Sequence, residues 1–187
     1  MSADLYIALV HYPVLNKGGQ VVTTSVTNFD IHDLARTGCT FGVRHAFFVT
    51  PTESQRKMVD YIANYWSEGF GATYNPDRKT ALEIVKPSES LEQTCLTIES
   101  LSGTKPLLVA TTAKNADNSM GYDDIARQTA ASGRPLLLLF GTGHGLTEDV
   151  LGQCDFVLKP ILGTGQYNHL PVRSAVAIIL AKLREFL

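Results

Sequence analysis

Two glycine-rich stretches in the C-terminal half of the chain each follow a short apolar run. Leu136 to Phe140 leads into Gly141-Thr142-Gly143-His144-Gly145-Leu146, and Phe156 to Leu158 leads, through Lys159 and Pro160, into Ile161-Leu162-Gly163-Thr164-Gly165. Glycine lets main-chain amide and carbonyl groups approach a ligand closely and adopt positive φ, so an adenine or ribose can be recognised by backbone rather than side chains. Either loop alone also reads as a tight turn, but two at successive strand ends point to a ligand. The first lacks Gly-x-Gly-x-x-Gly spacing, its third glycine following two residues after the second, and carries no Gly-Lys-Ser/Thr. A nucleoside therefore fits better than a dinucleotide or a triphosphate.

Two further segments concentrate polar groups. Tyr167-Asn168-His169-Leu170-Pro171-Val172-Arg173-Ser174 follows the second glycine loop and leads into the last apolar repeat, where Pro171 also suits the start of a helix. Near the other end, Asp30-Ile31-His32-Asp33-Leu34-Ala35-Arg36-Thr37 places His32, Asp33 and Arg36 on one helix. The guanidinium of Arg36 is a planar fork that can grip phosphate or a reacting nucleotide, although it reads equally as a solvated helix arginine. Cys39, Cys95 and Cys154 stand far apart and the five histidines form no i, i+4 pair, so the expectation is core thiols and no protein-bound metal.

These segments need a scaffold, and the hydrophobic pattern supplies one. Leu5 to Val10, Val43 to Val49, Leu107 to Thr111, Pro135 to Phe140 and Phe156 to Leu158 read as strands buried on both faces, with a brief candidate at Leu82 to Val85. Between them a helix capped by Asn28 or Asp30 ends near Gly38, and a second starts at Thr50-Pro51-Thr52-Glu53, with Thr50 as cap, Pro51 in the first turn and Glu53 closing a capping box. That helix carries Met58, Val59, Ile62, Ala63 and Trp66 and stops at Gly69-Phe70-Gly71. Ser88 to Leu101, Tyr122 to Ala131 and Thr147 to Leu151 are helical in pattern, and Val172 to Leu187 closes the chain as an amphipathic helix. Val21 to Val26 suits extended structure or a helical turn equally. The alternation predicts an α/β domain spanning residues 1–187, with a mostly parallel sheet and helices on both faces. In such a sheet ligands bind beyond the carboxyl ends of the strands, where both glycine loops would lie.

At 187 residues, with 44% hydrophobic and 18% charged residues, the composition is that of a globular protein. No apolar run approaches the ~20 residues that cross a bilayer, and the N-terminus lacks a basic region before its short apolar run. A cytoplasmic location without membrane contact is the expectation. The net charge of −2 requires any nucleic-acid face to be local or completed by a second subunit.

The segments together resemble the SPOUT (SpoU-TrmD) class of α/β-knot RNA methyltransferases, specifically a small single-domain subfamily. Gly141 to Val150 is similar to the second SPOUT motif, Ile161-Leu162-Gly163 with Leu170 to Ile179 to the third, and Asp30 to Thr37, continuing to Phe41-Gly42-Val43, to the first motif of the SpoU branch. The motifs stand in family order and reach both ends of the chain, whereas about residues 50–105 match none. The resemblance implies S-adenosyl-L-methionine as cofactor, a tRNA or rRNA substrate, a C-terminal trefoil knot and a homodimer whose interface adjoins the cofactor. It implies that Phe140, Gly141, Thr142, Gly143 and Gly145, then Ile161, Gly163, Thr164 and Gly165, then Tyr167, Leu170 and Arg173 hold the cofactor. Arg36, with His32 and Asp33, is implied on the acceptor side. Asp30 and Pro171 stand where the SpoU pattern has asparagines, which leaves base or ribose as the acceptor. Two other readings fit the same residues: a non-catalytic nucleotide- or RNA-binding module of this fold, or a flavodoxin-like protein holding phosphate at a helix N-terminus.

Overall fold

The computed structural model describes residues 4–114, 118–165 and 167–187. Strand β1 (Leu5–Val10) is buried along its whole length and is an inner strand of a seven-stranded sheet. On one side lie β4 (Val43–Val49) and β5 (Val85–Ser88); on the other lie β8 (Leu136–Gly141), β6 (Leu107–Ala110), β9 (Phe156–Leu158) and β7 (Ser119–Met120). Every pairing in this sheet is parallel. All carboxyl ends therefore share one edge. Two short strands, β2 (Val14–Leu15) and β3 (Val21–Val22), form a separate antiparallel hairpin, which settles Val21 and Val22 as extended.

Alternate residues of each strand feed two cores. Leu5, Ile7 and Leu9 face one layer with α1 (Asn28–Thr40), α2 (Glu53–Ser67), α4 (Pro76–Leu82), α6 (Tyr122–Ser132) and α8 (Val172–Arg184). Tyr6, Ala8 and Val10 face the other, built by α5 (Leu91–Ser102), α7 (Glu148–Gly152) and the hairpin residue Val14. Burial on both faces is what the unbroken run Leu136 to Phe140 encodes, since a half-exposed strand would alternate.

Several boundaries differ from the sequence pattern for identifiable reasons. Thr27, rather than Asn28 or Asp30, caps α1: its hydroxyl accepts from the Asp30 amide at 3.2 Å and the Asp30 carboxylate accepts from the Thr27 amide at 3.2 Å. Helix α2 starts at Glu53 with Thr52 as a cap that makes no side-chain bond, while the Thr50 hydroxyl accepts from the Thr52 amide at 3.3 Å. Gly69 to Gly71 does not end the helical segment; a short α3 (Phe70–Tyr74) follows, and Asn75 then caps α4 by accepting from the Arg78 amide at 3.0 Å, with Pro76 in its first turn. Leu82 consequently belongs to a helix, and the strand begins at Val85 and includes Pro87. Helix α1 continues past Gly38 to Thr40; a Cβ at Gly38 would stand 2.9 Å from the end of the Ile84 side chain and 3.4 Å from the Val43 Cβ of β4, so this glycine sits where the helix packs closely on the sheet and does not stop it.

Candidate functional site

The first glycine loop leaves β8 and turns against the β2–β3 hairpin. Leu15 holds it from both sides: the His144 amide donates to the Leu15 carbonyl at 2.8 Å, and the Leu15 amide donates to the Gly145 carbonyl at 2.9 Å. Gly143 has φ +59°, and a Cβ there would lie 2.8 Å from the Leu15 carbonyl oxygen, so this glycine is required by the hairpin that backs the loop. Gly145, at φ +107°, has nothing within 4 Å of where its Cβ would be among the described residues. It offers backbone to the space in front of the loop. Thr147 then caps α7 by accepting from the Val150 amide at 3.3 Å.

Sheet order puts the end of β6 between the ends of β8 and β9. Three loops therefore meet at one edge, and a side chain ties two of them. The Asn168 amide nitrogen donates to the Ala113 carbonyl at 3.1 Å, while its carbonyl accepts from the Gly163 amide at 3.2 Å. Among the described residues Gly165 has no atom within 4 Å of its would-be Cβ, and Leu162, Tyr167 and Leu170 are exposed on the same segment. Open backbone at Gly145 and Gly165 beside exposed apolar side chains is what an adenosyl group requires: room for main-chain contact and a surface for a base. The residues present fit S-adenosylmethionine.

Arg173 joins the third segment to the first. Its Nη1 donates to Asp33 Oδ2 at 2.5 Å, its Nε lies 3.7 Å from Asp30 Oδ1, and its guanidinium stands 5.5 Å from the Phe29 ring centroid. Between α1 and the start of α8 this leaves a groove of about 550 Å³ lined by Asp33, Arg36, Thr37, Pro171 and Arg173 among others. The structure thus gathers Arg36, Asp33 and Arg173 in one place. His32 lies on another side of α1, its ring edge-on to Trp66 at 5.6 Å between centroids, with burial and the nearby Arg78 pushing its pKa down.

Some residues beside the candidate site could not be placed there from the sequence. His11, at the end of β1, is 1% exposed, and burial pushes its pKa down to about 4, against a smaller upward pull from Asp30. Its Nδ1 lies 2.9 Å from the Thr24 hydroxyl, which touches the Thr142 hydroxyl of the first glycine loop. A histidine closing an apolar run before Tyr12-Pro13 was a visible oddity, but its partners lie 13 and 131 residues away in sequence. Thr111 and Ala113, after β6, were hidden because no glycine marks that loop. Cys95 and Cys154 are half-buried thiols that partial burial raises to about 11 and about 12, far from the thiolate a nucleophile needs. Among the described residues no three metal-binding side chains cluster, and no helix is long and apolar enough to cross a membrane.

A parallel sheet with its loops gathered at the strand ends, and a first segment joined to the third, is the arrangement of an α/β protein that binds a ligand beyond its strand ends. The sequence profile of a family described as SAM-dependent RNA methyltransferase matches residues 4–185, and the chain belongs to that family. It is 44% identical over 180 residues to a tRNA (guanine-N(1)-)-methyltransferase of Oleidesulfovibrio alaskensis, covering 96% of this chain but only 42% of that protein. An uncharacterized protein of Aquifex aeolicus is 37% identical over 183 residues, covering 98% of this chain and 89% of the other. Among solved structures, the Aquifex aeolicus TrmH/SpoU tRNA modifying enzyme superposes with a TM-score of 0.58 at 14% identity, covering 100% of this chain and 76% of that one. At that identity the likeness concerns the fold.

Proposed function

We propose that this chain transfers the methyl group of S-adenosylmethionine to a nucleotide of tRNA or rRNA. The observation that carries the reading is the Arg173 bridge to Asp30 and Asp33, which places Arg36 in one groove with the start of α8, next to the segment that would hold the cofactor. When bound, the cofactor supplies an electrophilic methyl on a sulfonium. The backbone of Gly145, Gly163 and Gly165, with Phe140, Gly141, Thr142, Ile161, Thr164, Tyr167 and Leu170 around it, holds the adenosyl and methionyl parts. Gly143 serves by letting the hairpin back the loop.

Arg36 grips phosphate or the acceptor nucleotide in the groove, and Asp33 acts by fixing Arg173, so the acceptor meets Arg36 beside an ordered wall. His32 contributes through its contact with Trp66, which fixes the first turns of α1. A homodimer belongs to the same reading, since a chain of net charge −2 gains a more extended groove from a second copy. A C-terminal trefoil knot belongs to it as well, as the family resemblance implies. The location this activity implies is cytoplasmic, where RNA is modified.

The test pairs calorimetric affinity for S-adenosylmethionine with single-turnover transfer of labelled methyl to RNA lacking the modification. Arg36→Ala is expected to keep cofactor affinity and lose on the order of 10² or more in transfer, with Arg36→Lys restoring little. Wild-type transfer by Arg36→Ala removes Arg36 from the acceptor side. An absence of S-adenosylmethionine binding by the wild-type protein leaves the alternative of a non-catalytic RNA-binding module.

A further inference from the structure

The bonds around His11 form a chain whose direction can be worked out by counting protons. Nδ1 of His11 lies 2.9 Å from Thr24 Oγ1, Thr24 Oγ1 lies 2.5 Å from Thr142 Oγ1, and Thr142 Oγ1 lies 3.0 Å from the Val10 carbonyl oxygen. Each hydroxyl has one proton to give. Were Nδ1 only an acceptor, Thr24 would donate to it, Thr142 would donate to Thr24, and the Val10 carbonyl would be left without a hydroxyl donor. With the hydrogen on Nδ1 all three contacts are satisfied: His11 donates to Thr24, Thr24 to Thr142, and Thr142 to Val10. The remaining contact of Thr24, 3.4 Å to the His11 carbonyl, is the longest and is the one given up. Nε2 is then a bare acceptor, buried and without a partner among the described residues, a lesser penalty than burying an unpaired N–H.

The end point of this chain is the cofactor loop. The Thr142 amide also points at the Val10 carbonyl, at 3.3 Å, so its amide and hydroxyl converge on one oxygen at the end of β1. Thr24 is fixed in turn by its own amide, which donates to the His11 carbonyl at 2.9 Å. The hairpin therefore holds Gly143 to Gly145 by backbone bonds, while His11 and Thr24 hold Thr142 by side chains. Together they fix the loop at both ends.

We propose that His11 is a positioning residue of the S-adenosylmethionine site, its Nδ1–H setting the first glycine loop through Thr24 and Thr142. This rests on the methyltransferase reading above. It assigns a specific chemical requirement: a neutral donor at the Nδ1 position, with nothing required of Nε2.

The asparagine amide nitrogen reaches about where Nδ1 stands, and the glutamine nitrogen about where Nε2 stands. In the purified full chain, His11→Asn is expected to bind S-adenosylmethionine within about threefold of wild type, whereas His11→Gln and His11→Leu lose about tenfold or more, the scale of one net hydrogen bond. Thr24→Val should lose a similar factor, and His11→Leu combined with Thr24→Val no more than either alone, because both break one chain. Nitrogen-15 NMR should show the His11 ring protonated on Nδ1 and bare on Nε2 at neutral pH. Measurements are made below each variant's unfolding temperature, so that lost affinity does not report lost fold. Equal losses in the asparagine and leucine variants, an additive double variant, or a ring protonated on Nε2 would each overturn the proposal. If all variants bind like wild type, His11 does not set the loop while the methyltransferase reading stands; if wild type binds nothing, the reading itself falls.

Discussion

Gly143 and Gly145 are two residues apart in one loop, yet the structure gives them different work, and alanine at each position separates the two. At Gly143 the φ of +59° costs an L-residue about 1–2 kcal/mol. A Cβ there would also stand 2.8 Å from the Leu15 carbonyl, closer than a methyl can approach backbone. The hairpin must give way, and with it the two bonds of Leu15, at 2.8 and 2.9 Å, each worth about 1 kcal/mol net. Gly143→Ala should therefore destabilise by about 3 kcal/mol, a fall in Tm of roughly 6–12 °C for a chain of this size. At Gly145 only the conformational cost applies, since nothing among the described residues lies within 4 Å of the added methyl. Gly145→Ala should cost about 1–2 kcal/mol, roughly 3–6 °C.

Cofactor affinity should run the other way relative to stability. The methyl of Gly145→Ala enters the space assigned to the cofactor, so affinity should fall at least tenfold in a protein that is only slightly less stable. Differential scanning calorimetry and titration calorimetry on both variants make the comparison. If Gly143→Ala melts within 2 °C of wild type, the argument from the Leu15 contact is wrong. If Gly145→Ala binds S-adenosylmethionine as wild type does, the open side of this loop does not face the cofactor.

Acid should destabilise the fold through His11: its pKa is about 4 when folded against 6.5 when exposed, so the unfolded chain takes the proton first and stability falls as pH drops. Between pH 7 and pH 4 this amounts to about 3 kcal/mol, and denaturant titrations should show a shallower pH dependence for His11→Asn; parallel curves would count against a buried neutral ring. Removing Arg173 leaves Asp30 and Asp33 repelling each other across a half-exposed groove, so Arg173→Ala should lower stability by under ~1 kcal/mol while reducing methyl transfer tenfold or more, an effect absent if the bridge is incidental. Light scattering at micromolar concentration should give twice the 20.4 kDa of one chain, and a monomer would contradict the shared groove.

Local signals and long-range contacts divide what was legible. The strand runs, the short helix near Thr147 to Leu151 and the placement of both glycine loops at strand ends were readable, because each depends on neighbours within a few residues. The three-helix stretch from Glu53 to Leu82 was only half readable: Gly69 and Gly71 look like a stop, yet Gly71 is there because a Cβ would meet the Trp66 ring at 2.6 Å. Leu15 was invisible as a site residue, since an ordinary leucine supplies only its backbone and its partner lies more than a hundred residues on. The pairing of Arg173 with Asp33 spans 140 residues, and no local pattern in the sequence signals it.

Asp30 marks a departure from the family pattern, and the bonds it makes explain how the departure is tolerated. Its Oδ2 accepts from Thr27 and closes the capping box of α1, a task an asparagine oxygen performs as well. Its Oδ1 faces the Nε of Arg173, and there the negative charge matters, because a cation fixed between two carboxylates is held in one orientation over Phe29. With asparagine in this place Arg173 would keep only Asp33, leaving its guanidinium freer to turn into the groove. The aspartate therefore commits Arg173 to bridging the first and third segments, and leaves Arg36 as the arginine of this groove free for an acceptor. That division of labour is why Arg36→Ala and Arg173→Ala should differ: the first should lose acceptor handling outright, and the second should lose it only through disorder of the wall beside it.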